Sequence, residues 1–136
     1  MSGSLLLVYQ VLAGCCDAST GALLMVAPAL TLRLLSLRAP DEALIYISFI
    51  GAFVLANGLA YLYGAYLVGF DPCKSKLQAL WVLTGFTRAS VAIFVTTQVL
   101  AGALPMGWIS VAATDATCVL IQAAGLRKGW LASVER

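Results

Sequence analysis

Apolar residues run along this chain in long blocks, at about 5–27, 43–70, 77–100 and 106–126, with short polar or proline-bearing stretches between them. A helix needs about 20 such residues to cross the roughly 30 Å hydrocarbon core of a bilayer, so each block is long enough to span one. The pattern predicts an all-α polytopic membrane protein, an antiparallel four-helix transmembrane bundle forming one domain over residues 1–136. Reading three spans instead would leave a long apolar loop exposed. The first block stops at Pro28. Residues 29–39 then alternate leucines with Arg33 and Arg38, which fits a short interfacial helix or an extension of the first span. Pro40, Asp41 and Glu42 make a helix start, with the acids in the first turn where the helix dipole favours them. The second block is longer than the hydrocarbon is thick, so it tilts or protrudes until Asp71-Pro72 ends it. Residues 73–76 make a polar loop, and a turn containing Gly102 and Pro105 joins the last two blocks.

Composition strengthens this reading. Hydrophobic residues are 62% of the chain and charged residues 10%, against roughly 25% charged in an ordinary soluble domain. The net charge of +2 comes with basic residues at the block ends, apart from Arg88, so no basic stripe points to nucleic acid. Arg33 and Arg38 share the first connection with Asp41 and Glu42, whereas Lys74, Lys76, Arg127, Lys128 and Arg136 fall on the opposite side. The positive-inside tendency then puts both termini and the middle loop in the cytoplasm, and the expected location is a bacterial inner (plasma) membrane. Residues 1–10 lack a basic n-region and continue into a long apolar run, so they read as an uncleaved first helix. The chain has no histidine, which argues against His-ligated haem and His-based acid–base chemistry. Trp81, Trp108 and Trp130 lie near span ends, where indoles favour the headgroup region.

Charges inside these blocks carry the candidate chemistry. Asp17, Arg88 and Asp115 each interrupt a different span, and an ionised group at the bilayer centre costs about 2.5–3.5 kcal/mol on insertion scales. Counting helical rise from Leu5 and Leu77 sets Asp17 and Arg88 about 16–18 Å deep, and counting from Met106 brings Asp115 to a similar level. The faces agree. Gln10, Gly14, Asp17 and Gly21 follow one another at helical spacing, as do Trp108, Val111, Asp115, Cys118 and Gln122. Trp81, Thr84, Arg88 and Val91 form a third stripe; Gly51, Gly58 and Ala65, flanked by Asn57, Tyr61 and Gly64, form the fourth. The four stripes are expected to face one another around the three charges. Two carboxylates and one guanidinium leave an excess negative charge, so one aspartate is expected to pair with Arg88 and the other to hold a proton. The expected ligand-binding or proton-handling set is Asp17, Arg88 and Asp115, with Gln10, Gln122 and Asn57 extending it.

The structural alternative is that these groups are interhelical glue, each hydrogen bond worth only about 0.6 kcal/mol. That reading suits the two glutamines and Asn57, and the glycine stripes are packing features. The cysteines show no CxxC pair. Cys15, Cys16 and Cys118 lie near the aspartates and would suit a soft metal ion, but apolar burial is the commoner role of a free cysteine, and no metal site is expected. Cys73 reads as a reduced loop thiol.

Taken together, Gly14-x2-Asp17-x3-Gly21, Gly51-x6-Gly58, Arg88 and Asp115 in four spans make the chain resemble DoxX-like small four-helix membrane proteins over nearly its full length. The resemblance implies a membrane subunit associated with quinone-linked redox complexes. It does not bring an electron-carrier ligand set, which the residues do not supply. Three functions follow. In the first, the charged centre binds a small polar or quinone-like ligand, or handles protons, with a quinone or lipid as the expected cofactor. In the second, the chain is a non-catalytic accessory subunit whose partners are lipids and other membrane subunits. In the third, it is a small transporter or channel working as a homo-oligomer, since four helices are few for a path within one protomer. No catalytic residue set is assigned.

Overall fold

The computed structural model describes residues 2–135, with side chains as far as Ala132, so Arg136, counted above for orientation, lies outside the described residues. Within them the chain is all-helical. The order is α1 (Gly3–Val26), α2 (Pro28–Leu34), α3 (Leu44–Gly69), α4 (Lys74–Leu100) and α5 (Ile109–Arg127). Single 3-10 turns at Asp41–Ala43 and Met106–Trp108 lead into α3 and α5, and another covers Trp130–Glu135. Four stretches are long and apolar enough to cross a membrane: Gly3–Val26, Asp41–Gly69, Lys74–Leu100 and Met106–Arg127. Only 11% of the most apolar window in Asp41–Gly69 is buried, so its large side chains, among them Phe49, Phe53 and Leu59, face outward rather than into a core.

Proline and chain reversal set the breaks. Pro28 occupies the first turn of α2, where its missing N–H costs nothing, and Ala27 before it leaves the helical region at φ −143° and ψ 62°. The segment after the first span is therefore a separate short helix. It ends in a Schellman turn: Leu37 N–H donates to the Leu32 carbonyl at 2.7 Å and Ser36 N–H to that of Arg33 at 3.0 Å. Ser36 takes the left-handed position usually held by glycine, at φ +57°. Leu32 and Leu37, at the two positions whose apolar side chains commonly accompany such a turn, are both buried. Ser36→Gly is thus expected to stabilise the protein by about 0.5–1 kcal/mol, measured as a shift of the unfolding midpoint in detergent.

The chain divides into two compact units, Gly3–Asp71 and a second that begins at Pro72. In the first, α1 and α3 pack antiparallel and in close register. A Cβ on Gly21 would sit 2.7 Å from the Gly51 carbonyl oxygen, and one on Gly58 would sit 2.8 Å from the Ala18 Cα. A Cβ on Gly51 would come within 2.9 Å of the Met25 amide nitrogen, and one on Gly14 would meet the Leu62 side chain. Glycines seven residues apart on both helices thus bring backbone against backbone, the close approach that small residues permit. The Ser48 hydroxyl closes one end of the pair by donating to the Met25 carbonyl at 2.8 Å. On the outward side of α3, Tyr63, Tyr66 and Phe70 stack in succession, with centroids 6.3 and 5.8 Å apart.

In the second unit α4 and α5 pack antiparallel. Val95, Val99 and Ala112 form a small core near their connection, covered by Leu104 and Trp108. At the other end Gly125 leaves room for two indoles, since a Cβ there would lie 2.8 Å from Trp130 and closer still to Trp81. Trp81 is consequently 1% exposed, in keeping with its place on the expected inward stripe of α4. Further along, the stripe on α4 differs from expectation. Leu77, Trp81, Thr84 and Arg88 are buried, but the face continues through Ala92, Val95 and Val99, while Val91 is exposed. A step of four after Arg88 keeps the face straight along an untwisted helix, where a step of three rotates it outward.

Candidate functional site

Arg88 lies on the inner face of α4 and is 4% exposed. Its Nη1 donates to Oδ1 of Asp115 on α5 in a salt bridge whose carboxylate is also mostly sheltered. Both residues sit well inside their helices, away from capping positions. The ion pair joins a charge that interrupts one apolar block to a charge that interrupts another. One helical turn along, the Thr84 hydroxyl donates to the Leu80 carbonyl at 2.9 Å and accepts from Gln122 Nε2 at 2.8 Å. The Thr84 proton is thus committed to its own helix, and the oxygen's lone pairs are left to receive the amide. That fixes the orientation of the Gln122 amide and leaves its Oε1, also buried, without a hydrogen-bond partner among the described residues. Gly85 lies beside this oxygen; a Cβ there would be 3.4 Å away.

Asp17 belongs to the other unit. Its Oδ2 accepts from Asn57 Nδ2 on α3 at 2.8 Å. Gly58 explains the contact: it backs onto the α1 backbone at Asp17 and Ala18, which draws the neighbouring Asn57 within reach. Gln10, two turns from Asp17 on the same face, is fully buried, and neither its Nε2 nor its Oε1 has a hydrogen-bond partner among the described residues. A buried amide without partners costs about 1–3 kcal/mol per group, so water or a polar ligand beside it would be stabilising. Tyr9 and Tyr61 also meet across α1 and α3, edge to face, with hydroxyls 3.5 Å apart.

Two polar contributors are absent from the set expected of the sequence. Thr84 falls on the expected face of α4 but is also the anchor of Gln122, which spacing along one helix does not reveal. Tyr9 lies one residue off the Gln10 stripe, where periodicity gives no signal. Of the thiols considered for a soft metal, Cys15 and Cys16 are exposed on α1 and Cys118 is half-buried on α5, and no cysteine is in a disulfide. Among the described residues no group of three His, Cys, Asp or Glu side chains is arranged to hold a metal ion.

What the arrangement can do chemically is limited and specific. The guanidinium holds its proton and offers a planar fork of donors, the carboxylate accepts protons or donors, and the free Gln122 oxygen accepts from a hydroxyl. Together they suit recognition of a carbonyl, hydroxyl or anionic group and provide no nucleophile or redox centre. No protein-family model matches this chain, and no curated protein or solved structure matches it either.

Proposed function

We propose that this is an integral membrane protein that binds a small polar or quinone-like molecule at the Arg88–Asp115 pair. Four helices of membrane-crossing length with outward-facing apolar surface support the membrane reading. Both termini and the loop between α3 and α4 then face the cytoplasm of a bacterial inner membrane, by the distribution of Lys and Arg. The observation that carries the ligand reading is the ion pair itself. Apolar residues of similar volume stabilise a helix pair as well as, or better than, a buried salt bridge, so stability alone gives no reason to hold Arg88 and Asp115 inside α4 and α5. Gln122, with its acceptor oxygen unmet one turn beyond Thr84, adds a second group suited to a hydroxyl-bearing ligand. A DoxX-like kinship, with its link to quinone-dependent complexes, is consistent with this and rests on the motifs around Asp17, Gly58, Arg88 and Asp115.

The test uses decylubiquinone titrated into the purified protein in nanodiscs, read by quenching of tryptophan fluorescence. Saturable quenching is expected in the native chain. It should disappear in a folded Arg88→Leu, Asp115→Leu double variant. Quenching that is linear in quinone, or identical in the double variant, would overturn the reading. A second reading, the accessory subunit, is favoured by the exposed aromatics of α3, where Phe49 and Phe53 make an edge-to-face pair and, further along the helix, Tyr63, Tyr66 and Phe70 stack. Co-purification of a stoichiometric membrane partner in mild detergent, retained by the double variant, would favour it.

A further inference from the structure

We propose that the cleft between α2 and the start of α3 binds the phosphodiester headgroup of an anionic phospholipid. This rests on the membrane reading above but not on the Arg88–Asp115 site. The cleft measures about 600 Å³, and its lining includes Arg33, Ser36, Arg38 and Asp41 over a floor that contains the buried Leu32 and Leu37.

The local chain explains why two guanidiniums share one small space. Arg33 lies in the last turn of α2 and Arg38 just beyond it, and an extended connection would carry them apart. The Schellman turn at Ser36 reverses the chain instead, and its two backbone hydrogen bonds with the burial of Leu37 hold the reversal. A non-glycine residue kept in the left-handed region marks a turn that the surrounding contacts enforce. Arg33 is exposed, and its guanidinium makes no hydrogen bond or ion pair with the described residues. Guanidinium forks match the tetrahedral oxygens of a phosphate, and the Ser36 hydroxyl offers a further donor.

Charge selects among headgroups. Two arginines and Asp41 give the cleft a net positive charge of one, the complement of a single phosphodiester. The carboxylate disfavours multiply charged anions and can accept from a headgroup hydroxyl. Apolar surface lies where acyl chains would continue: Val26 ends α1 at 83% exposure, and Leu30 and Leu34, four apart on α2, are 52% and 67% exposed. Because α2 follows directly on a span-length helix, the cleft falls at headgroup depth.

Native mass spectrometry of the full chain, released from micelles holding equal phosphatidylglycerol and phosphatidylcholine, tests this. Preferential retention of phosphatidylglycerol is expected. Each arginine near a membrane surface contributes enough that Arg33→Gln with Arg38→Gln should weaken the preference by about 30-fold, and Arg33→Gln alone by about 5-fold. Asp41→Asn should strengthen it, which keeps the test decisive if the double variant does not fold. Equal retention of the two lipids by the native chain, or a preference unmoved by Arg33→Gln and by Asp41→Asn, would overturn the proposal. Inorganic phosphate at millimolar concentration should leave the lipid bound; full displacement would identify a free anion as the ligand and overturn the lipid assignment. Alkaline carbonate extraction separates the two levels of inference. Protein released to the supernatant defeats the membrane reading, whereas protein that stays in the pellet without lipid preference defeats the headgroup site alone.

Discussion

Arg88→Gln is expected to lower stability by about 3–5 kcal/mol, because it removes one partner of a buried ion pair and leaves the Asp115 carboxylate without its counter-charge between α4 and α5. Asp115→Asn should act in the same direction, since Arg88 cannot shed its proton. The informative variant is the double one. Replacing both residues by leucine removes both desolvation costs together and fills the space with apolar volume, so most of the lost stability should return. Unfolding by SDS in mixed micelles, followed by circular dichroism, provides the four corners of this cycle. A double variant as unstable as either single one would show that the pair organises the helices. Recovery of stability together with loss of quinone quenching would place the pair's value in binding.

Gly58→Ala should be nearly as disruptive through a different mechanism. The added methyl would fall 2.8 Å from the Ala18 Cα and 2.9 Å from the Asp17 carbonyl carbon, and backbone atoms cannot swing aside as a side chain can. The helices must separate, at a cost near or above the upper end of the about 1–3 kcal/mol typical of overpacking. Separation also lengthens the Asn57–Asp17 hydrogen bond, which the Gly58 contact brings into range. Gly21→Ala should behave alike, with a Cβ 2.7 Å from both the Gly51 oxygen and the Leu55 Cα. Gly69→Ala is the control: nothing lies within 4 Å of the added atom, so stability should hold or rise by a few tenths of a kcal/mol. Equal midpoints for Gly58→Ala and Gly69→Ala would mean that α1 and α3 do not approach this closely.

Much of the helical layout is legible in the order of residues alone. Blocks of about 20 apolar residues predict long helices, and Pro28, Pro40 and Pro72 mark their breaks, because proline removes a donor and constrains the residue before it. The Gly51–Gly58 heptad is readable as a packing face, since residues seven apart return to the same side of a helix. Periodicity tells less about partners. It groups Asn57 with Tyr61 and Gly64 but does not say that Asn57 binds Asp17, and it sets Trp81 near a span end without revealing the space left by Gly125. The choice between an interfacial helix and a continued span after Pro28 is likewise open in the sequence, because a leucine-rich stretch with two arginines satisfies both until the Ser36 turn is seen.

By itself, then, the amino-acid sequence determined the all-helical class, the four stretches of membrane-crossing length and the identities of the few charges within them. Helical rise and periodicity are properties of a single chain segment, so one segment suffices to read them. Tertiary structure alone decided that Arg88 meets Asp115, that Asn57 donates to Asp17, that Thr84 fixes Gln122, and that Arg33 and Arg38 line one cleft. Each of these depends on how far one helix is turned about its axis against another, or on a single left-handed residue. Helix rotation is set by the summed packing of small residues across an interface, which no spacing within one strand of sequence encodes.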